Sequence, residues 1–186
     1  MSEAVRFVVI TTPPAEMSRE IDTARRLIGE IGRSRAALAY PPHVTLRTGA
    51  RVPAELVSTF LDAFGAAVGT WEPFPVRTAG IWQTTYMDGE REKYLVGYRV
   101  EKSQALAALN ERLLRLSTWR ASNRLHFEPH LTLAYDDLDL DGYQSIERWR
   151  EQTPGALPEG FAWTCDNVGL FYLEGEDWMP YKVWRV

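Results

Sequence analysis

Pro42-His43-Val44-Thr45-Leu46 and Pro129-His130-Leu131-Thr132-Leu133 are the same pentapeptide but for one aliphatic exchange, and they stand in opposite halves of a 186-residue chain. The chain holds only 3 histidines, so chance would rarely place two of them in one shared Pro-His-apolar-Thr-Leu context. On a strand, side chains alternate between faces. His43 and Thr45 therefore point one way and Val44 and Leu46 the other, and His130 and Thr132 separate in the same manner from Leu131 and Leu133. Each motif presents a polar pair to one side and an apolar pair to a core. Residues two apart on a strand are about 7 Å from each other, a spacing at which an imidazole and a hydroxyl can touch different atoms of one tetrahedral group.

The sequence on either side repeats an order of elements. Arg6 to Thr11 reads as a buried strand closed by Pro13-Pro14, and Ile21, Ala24, Leu27, Ile28 and Ile31 recur at helical spacing. Val44 to Thr48 is a second strand, Pro53 opens a helix bearing Leu56, Val57, Phe60, Leu61 and Phe64, and Phe74 to Gln83 returns as a strand. After a polar turn at 87–92 comes a strand from Tyr94 to Val100 and a helix with Leu106, Leu109, Leu113 and Leu116 on one side. A strand from His130 to Tyr135 follows, then a short helix from Gly142 to Arg150 and a long strand from Phe161 to Leu173 with a bulge expected at Asp166-Asn167. Tyr181 to Arg185 reads as a closing strand. The pattern predicts an α+β, bilobal fold: two pseudo-symmetric β-α-β-α-β lobes, with antiparallel sheets flanking a central cleft across which the motifs face each other. The whole chain, 1–186, is expected to be a single bilobal domain with approximate halves 1–90 and 91–186.

Composition narrows the function. Apolar residues at 45% and aromatics at 12% can fill a core. A formal charge of −4 argues against a broad grip on long nucleic acid, whose affinity comes from many phosphate contacts. No stretch approaches the roughly 20 apolar residues of a membrane span, and the first residues lack the basic start and apolar core of a signal peptide, so a cytoplasmic location is expected. Cys165 is the single cysteine, which excludes an intrachain disulfide and a thiolate metal cluster.

The motif residues suit phosphoryl chemistry. Imidazole titrates near pH 6.5, so one neutral histidine can take a proton from water while a second, protonated, gives one to a leaving oxygen. Threonine hydroxyls donate to non-bridging phosphate oxygens, and such bonds help most when they strengthen as charge builds. Neither role calls for a metal or other cofactor. Arg47 shares the face of His43 and Thr45 if the strand stays regular, and is a candidate phosphate contact. Trp82, Tyr172 and Trp178 are candidate stacking surfaces for a base. His126, four residues before His130, is separated from it by Pro129 and reads as structural or at the cleft rim.

These residues resemble the 2H phosphoesterase superfamily, named for two His-x-Thr/Ser-x motifs with apolar x, which includes the RNA 2',3'-cyclic phosphodiesterases, also called 2'-5' RNA ligases. The resemblance implies a metal-independent cyclic phosphodiesterase in which His43 donates a proton to the leaving oxygen, His130 activates water, and Thr45 and Thr132 hold the phosphate. It implies a small cyclic-phosphate nucleotide or RNA 3' terminus as partner, a 2'-phosphomonoester as product and 2'-5' joining of RNA ends as an accompanying activity; apart from the resemblance, the chain is expected to be a monomer with no membrane association. Two other classes remain open on the sequence: a nucleotide-binding module of the same fold without significant turnover, and a metallohydrolase using His126, His130 and nearby aspartates.

Overall fold

The fold was analysed in a computed structural model, which describes residues 4–69, 71–116, 127–174 and 177–185. In chain order the elements are β1 (Ala4–Thr11), α1 (Ala15–Gly32), β2 (Val44–Pro53), α2 (Val57–Val68), β3 (Phe74–Asp88), β4 (Arg91–Val100), α3 (Gln104–Leu114), β5 (His130–Ala134), α4 (Leu140–Gln152), β6 (Ala162–Cys165), β7 (Asn167–Glu174) and β8 (Asp177–Arg185). Helix starts follow local chemistry. The Ser103 hydroxyl accepts from the Leu106 N–H to open α3, and the Asp139 carboxylate accepts from the Gly142 N–H at 2.7 Å to open α4. α1 stops where Arg33 turns left-handed at φ 56° and the Ser34 N–H closes onto the Gly29 carbonyl.

The strands form one antiparallel sheet in the order β6-β3-β4-β5-β2-β1-β7-β8. It consists of two four-stranded halves, β6-β3-β4-β5 and β2-β1-β7-β8, joined at the β5–β2 boundary by a single residue pair, Val44 opposite Leu131. These spatial halves differ from the sequence halves. β3 leaves the first half to pair with β4, and β7 and β8 leave the second half to extend β1. The helices cross over as well: α1 packs against β5 and α4, and α3 against β2 and α2. One core results, in which Ile21, Ile28, Leu46, Phe60, Phe64, Leu106, Leu113, Leu131 and Leu133 are all buried. Burying each such side chain contributes roughly 1.5–3 kcal/mol.

The long strand expected over 161–173 is two strands. β6 pairs with β3 and β7 pairs with β1, with Asp166 alone between them. One residue can connect opposite sides of the order only if the sheet curls until those sides approach. Thr11 and Cys165 meet at 3.2 Å, and the Asn167 side chain binds both the N–H and the C=O of Thr12.

Candidate active site

Directly opposed residues of an antiparallel pair share a face. Val44 and Leu131 are opposed and both wholly buried on the helix side, so His43, Thr45, His130 and Thr132 occupy the other face. The same register sets 43 across from 132 and 45 across from 130. The four side chains thus stand at the corners of a quadrilateral, histidines on one diagonal and threonines on the other. Cross-strand spacing of about 5 Å and along-strand spacing of about 7 Å separate the two histidine origins by about 8 Å, room for a tetrahedral group between the ring tips. The duplicated motif therefore builds a single site at the boundary between the half-sheets.

The two imidazoles are held alike. His43 Nδ1 lies 2.8 Å from the Pro41 carbonyl oxygen, and His130 Nδ1 lies 2.9 Å from the Glu128 carbonyl oxygen. In both cases the acceptor is the residue before a buried proline, Pro42 or Pro129. Proline pushes its predecessor into the extended region, which fixes the direction of that carbonyl and explains the leading proline of each motif. With Nδ1–H donating, the neutral ring keeps its lone pair on Nε2, the nitrogen that can exchange a proton with a ligand. Each ring also has an aromatic neighbour at a centroid distance of 5.7 Å, Tyr40 for His43 and Trp82 for His130.

Their surroundings differ. Under Tyr40 lies Arg25 of α1, only 1% exposed, whose Nη1 donates to Asp22 Oδ1 at 3.0 Å and to the Tyr40 carbonyl at 2.9 Å. Burial, outweighing the bond to Pro41 and reinforced by the positive charge of Arg25 and by His130, pulls His43 down to about 4. Burial, with Asp136 and Asp137 nearby, pushes Tyr135 up to about 12 in spite of Arg25, so Tyr135, whose ring lies 6.0 Å from that of Tyr40, is a neutral phenol. The Tyr40 side of the site is a packed layer over a buried cation.

Arg47 does not share the face of His43 and Thr45. Opposite β1 the register runs Thr11 to Val44, Ile10 to Thr45, then Val9 to Arg47, so β2 carries one extra residue at Leu46. This bulge breaks the alternation and sets Arg47, itself 8% exposed, opposite core-facing Val9, where burial lowers the arginine's pKa. The premise of a regular strand fails at that residue. Sequence reasoning also passed over two residues that brace the site. Asn110 of α3, itself buried, donates its Nδ2 to the Leu46 carbonyl at 2.6 Å, pairing an oxygen at the bulge. Asp137, one of the acidic run taken for a solvated loop, accepts from Ser34 Oγ at 2.6 Å and from the Arg35 and Ala36 N–H groups at 2.7 and 3.1 Å. It ties the exit of β5 to the segment that leads into His43. A polar residue at a helix position otherwise filled by leucines was the available signal for Asn110. His126 lies outside the described residues.

A family model described as the 2'-5' RNA ligase superfamily matches residues 13–177. The chain belongs to the 2'-5' RNA ligase superfamily. Among curated proteins, this superfamily member is 23% identical over 147 residues to a Bacillus cytotoxicus chain named as a putative phosphoesterase, covering 78% of the present chain and 79% of the relative. Among solved structures, Escherichia coli LigT complexed with 3'-AMP shares the fold at a TM-score of 0.67 and 20% identity, covering 99% of each chain. TT0787 of Thermus thermophilus superposes at a TM-score of 0.61 and 15% identity over 97% of each chain. The superfamily member thus has the LigT fold, and no helix among its described residues is long and apolar enough to cross a membrane.

Proposed function

We propose that this superfamily member is a metal-independent cyclic phosphodiesterase that opens a nucleoside or RNA-terminal 2',3'-cyclic phosphate to a 2'-phosphomonoester, and that the same site can join RNA ends through a 2'-5' bond. The observation that carries this is the quadrilateral of His43, Thr45, His130 and Thr132 around the Val44–Leu131 pair. His130 Nε2 takes a proton from water, the water oxygen attacks phosphorus, the bond from phosphorus to the 3' oxygen breaks, and His43 Nε2 gives that oxygen its proton. Attack and departure occur on opposite sides of the phosphorus, which suits histidines on opposite corners. Thr45 and Thr132 donate to the non-bridging oxygens on the other diagonal. Support for a nucleotide comes from LigT, which has been crystallised with 3'-AMP, with ATP and with NADP+.

His43 is neutral near pH 7 in the free protein, so its role as donor requires a proton acquired with the substrate. An anionic phosphate between the rings favours the imidazolium and supplies that drive. The test is incubation of the protein, with EDTA, against the four nucleoside 2',3'-cyclic monophosphates and an RNA ending in a 2',3'-cyclic phosphate. A 2'-phosphate product is expected, with turnover reduced by about two to four orders of magnitude in His43→Ala and in His130→Ala. Absence of product, or full activity in both variants, would refute the proposal.

A further inference from the structure

We infer that the Trp82–Arg99 platform beside His130 is the nucleobase subsite, so that a nucleotide ligand lies with its phosphate between the motifs and its base on the β3–β4 side of them. The inference rests on the proposed placement of the phosphate and adds where the rest of the ligand goes.

The rows of the sheet locate the platform. Trp82 on β3 is opposite Gly97 on β4, and Gly97 is opposite Thr132 on β5, so Trp82 shares the catalytic face. Two strand spacings, about 10 Å, separate the Trp82 and Thr132 backbones. The indole nevertheless reaches to 5.7 Å from the His130 ring, which it does by crossing β4 over Gly97, where no side chain stands in the way. A side chain at 97 is also barred by the backbone, since a Cβ there would fall 2.6 Å from the Leu131 carbonyl oxygen. In the neighbouring row Arg99 is directly opposite His130, and its guanidinium carbon sits 5.4 Å from the centre of the indole. A half-buried indole and an exposed arginine thus adjoin the catalytic imidazole. Flat, polarisable and rich in donors, they suit a base that stacks on the ring and accepts hydrogen bonds at its edge.

The other aromatic groups on this face are less suited. Tyr40 has its ring against both His43 and Tyr135. On the Thr45 side the next residue in the row is Ile10, buried with Val8 and Phe171, and the half-buried Trp178 packs on that cluster rather than on the motif. Trp178, with Arg6 over it, is opposite Leu173, whereas the row of Thr45 and Ile10 continues through Gly169 to Val183. Five residues along β8 put Trp178 about 16 Å from that row. The two ends of the site are therefore unequal, and the base is placed on the His130 side.

The experiment compares ligands with and without a base. Affinities for adenosine 2'-monophosphate and for ribose 5-phosphate are measured by calorimetry in the unaltered protein and in Trp82→Ala, Trp82→Phe, Arg99→Gln and Tyr40→Phe. Because binding is read directly, the result does not depend on turnover. Adenosine 2'-monophosphate should bind at least tenfold more tightly than ribose 5-phosphate, and Trp82→Ala should erase about tenfold or more of that preference. Trp82→Phe should restore most of it, and Arg99→Gln should lose part. A preference that survives Trp82→Ala and Arg99→Gln, one that follows Tyr40 instead, or no base preference at all would overturn the assignment. Cyclic phosphodiesterase activity without Trp82-dependent base preference would refute the subsite alone, and Trp82-dependent binding without turnover would refute the proposed reaction alone.

Discussion

Replacing His43 by Gln tests the electrostatics of the site without any substrate. In the folded protein burial, Arg25 and His130 hold His43 at about 4, whereas in the unfolded chain it titrates near 6.5. Between those values the unfolded chain binds more protons than the folded one, so this group makes stability rise with pH. Its contribution is complete above pH 6.5 and is lost as pH falls from 6.5 toward 4. At about 1.4 kcal/mol per tenfold change in proton affinity, the ceiling is about 3 kcal/mol. Water reaching a half-buried ring screens part of it, leaving about 1–3 kcal/mol. Glutamine keeps an N–H for the Pro41 carbonyl and cannot ionise. Urea unfolding of both proteins at several pH values between 4 and 7.5 cancels the other titrating groups in the difference. Relative to the unaltered protein, His43→Gln should gain about 1–3 kcal/mol on going from pH 7.5 to pH 4, whatever its constant offset at neutral pH. A difference that stays flat to within a few tenths of a kcal/mol would show that His43 is not held neutral by its surroundings.

Two bracing residues give further expectations. Asn110→Leu leaves the Leu46 carbonyl buried without its side-chain donor and should lower stability by about 1–3 kcal/mol in denaturant unfolding, with a loss of activity through the displaced Thr45 strand. Burial works to raise the Asp137 carboxyl, but the bonds from Ser34, Arg35 and Ala36 outweigh it and hold it below the ordinary carboxylate range. Its stabilisation is therefore present above about pH 4 and lost below. Asp137→Ala should cost about 1 kcal/mol near pH 7, as loss of a helix cap does, with the deficit vanishing in acid.

Much of the fold was legible because its signals are local. Apolar periodicity marked α1 and α3, the Pro-His-x-Thr pattern marked the starts of β2 and β5, and the polar turn at Gly89 joined β3 to β4. What was not legible depends on partners distant in sequence. Nothing local tells the stretch from Ala162 to Glu174 that its first part pairs with β3 and its second with β1, because both parts are strands of similar character. The same holds for Arg47. Alternation predicts its face from its own strand, and the bulge that turns it away is visible only against β1. Asp137 read as surface because its donors are the backbone and hydroxyl groups of a loop about a hundred residues earlier.

The proposed chemistry asks two equal histidines of a duplicated motif to do opposite work. The backbone treats them alike: the same preceding proline, the same bond from Nδ1 to the carbonyl two residues before, the same 5.7 Å to an aromatic ring. The difference lies in what stands behind each ring. His43 is buried behind Tyr40 and beside the buried Arg25 cation, and burial first and that charge second disfavour its imidazolium until an anion enters. His130 is backed by an indole and an exposed guanidinium at the open side. On the proposed chemistry, the empty site keeps His43 neutral and phosphate binding charges it, so that proton uptake accompanies binding and the donor is armed only when something is present to receive its proton. The pseudo-symmetric sheet positions the pair, and on the proposed chemistry the unequal helix and surface residues around it are what would set acid apart from base.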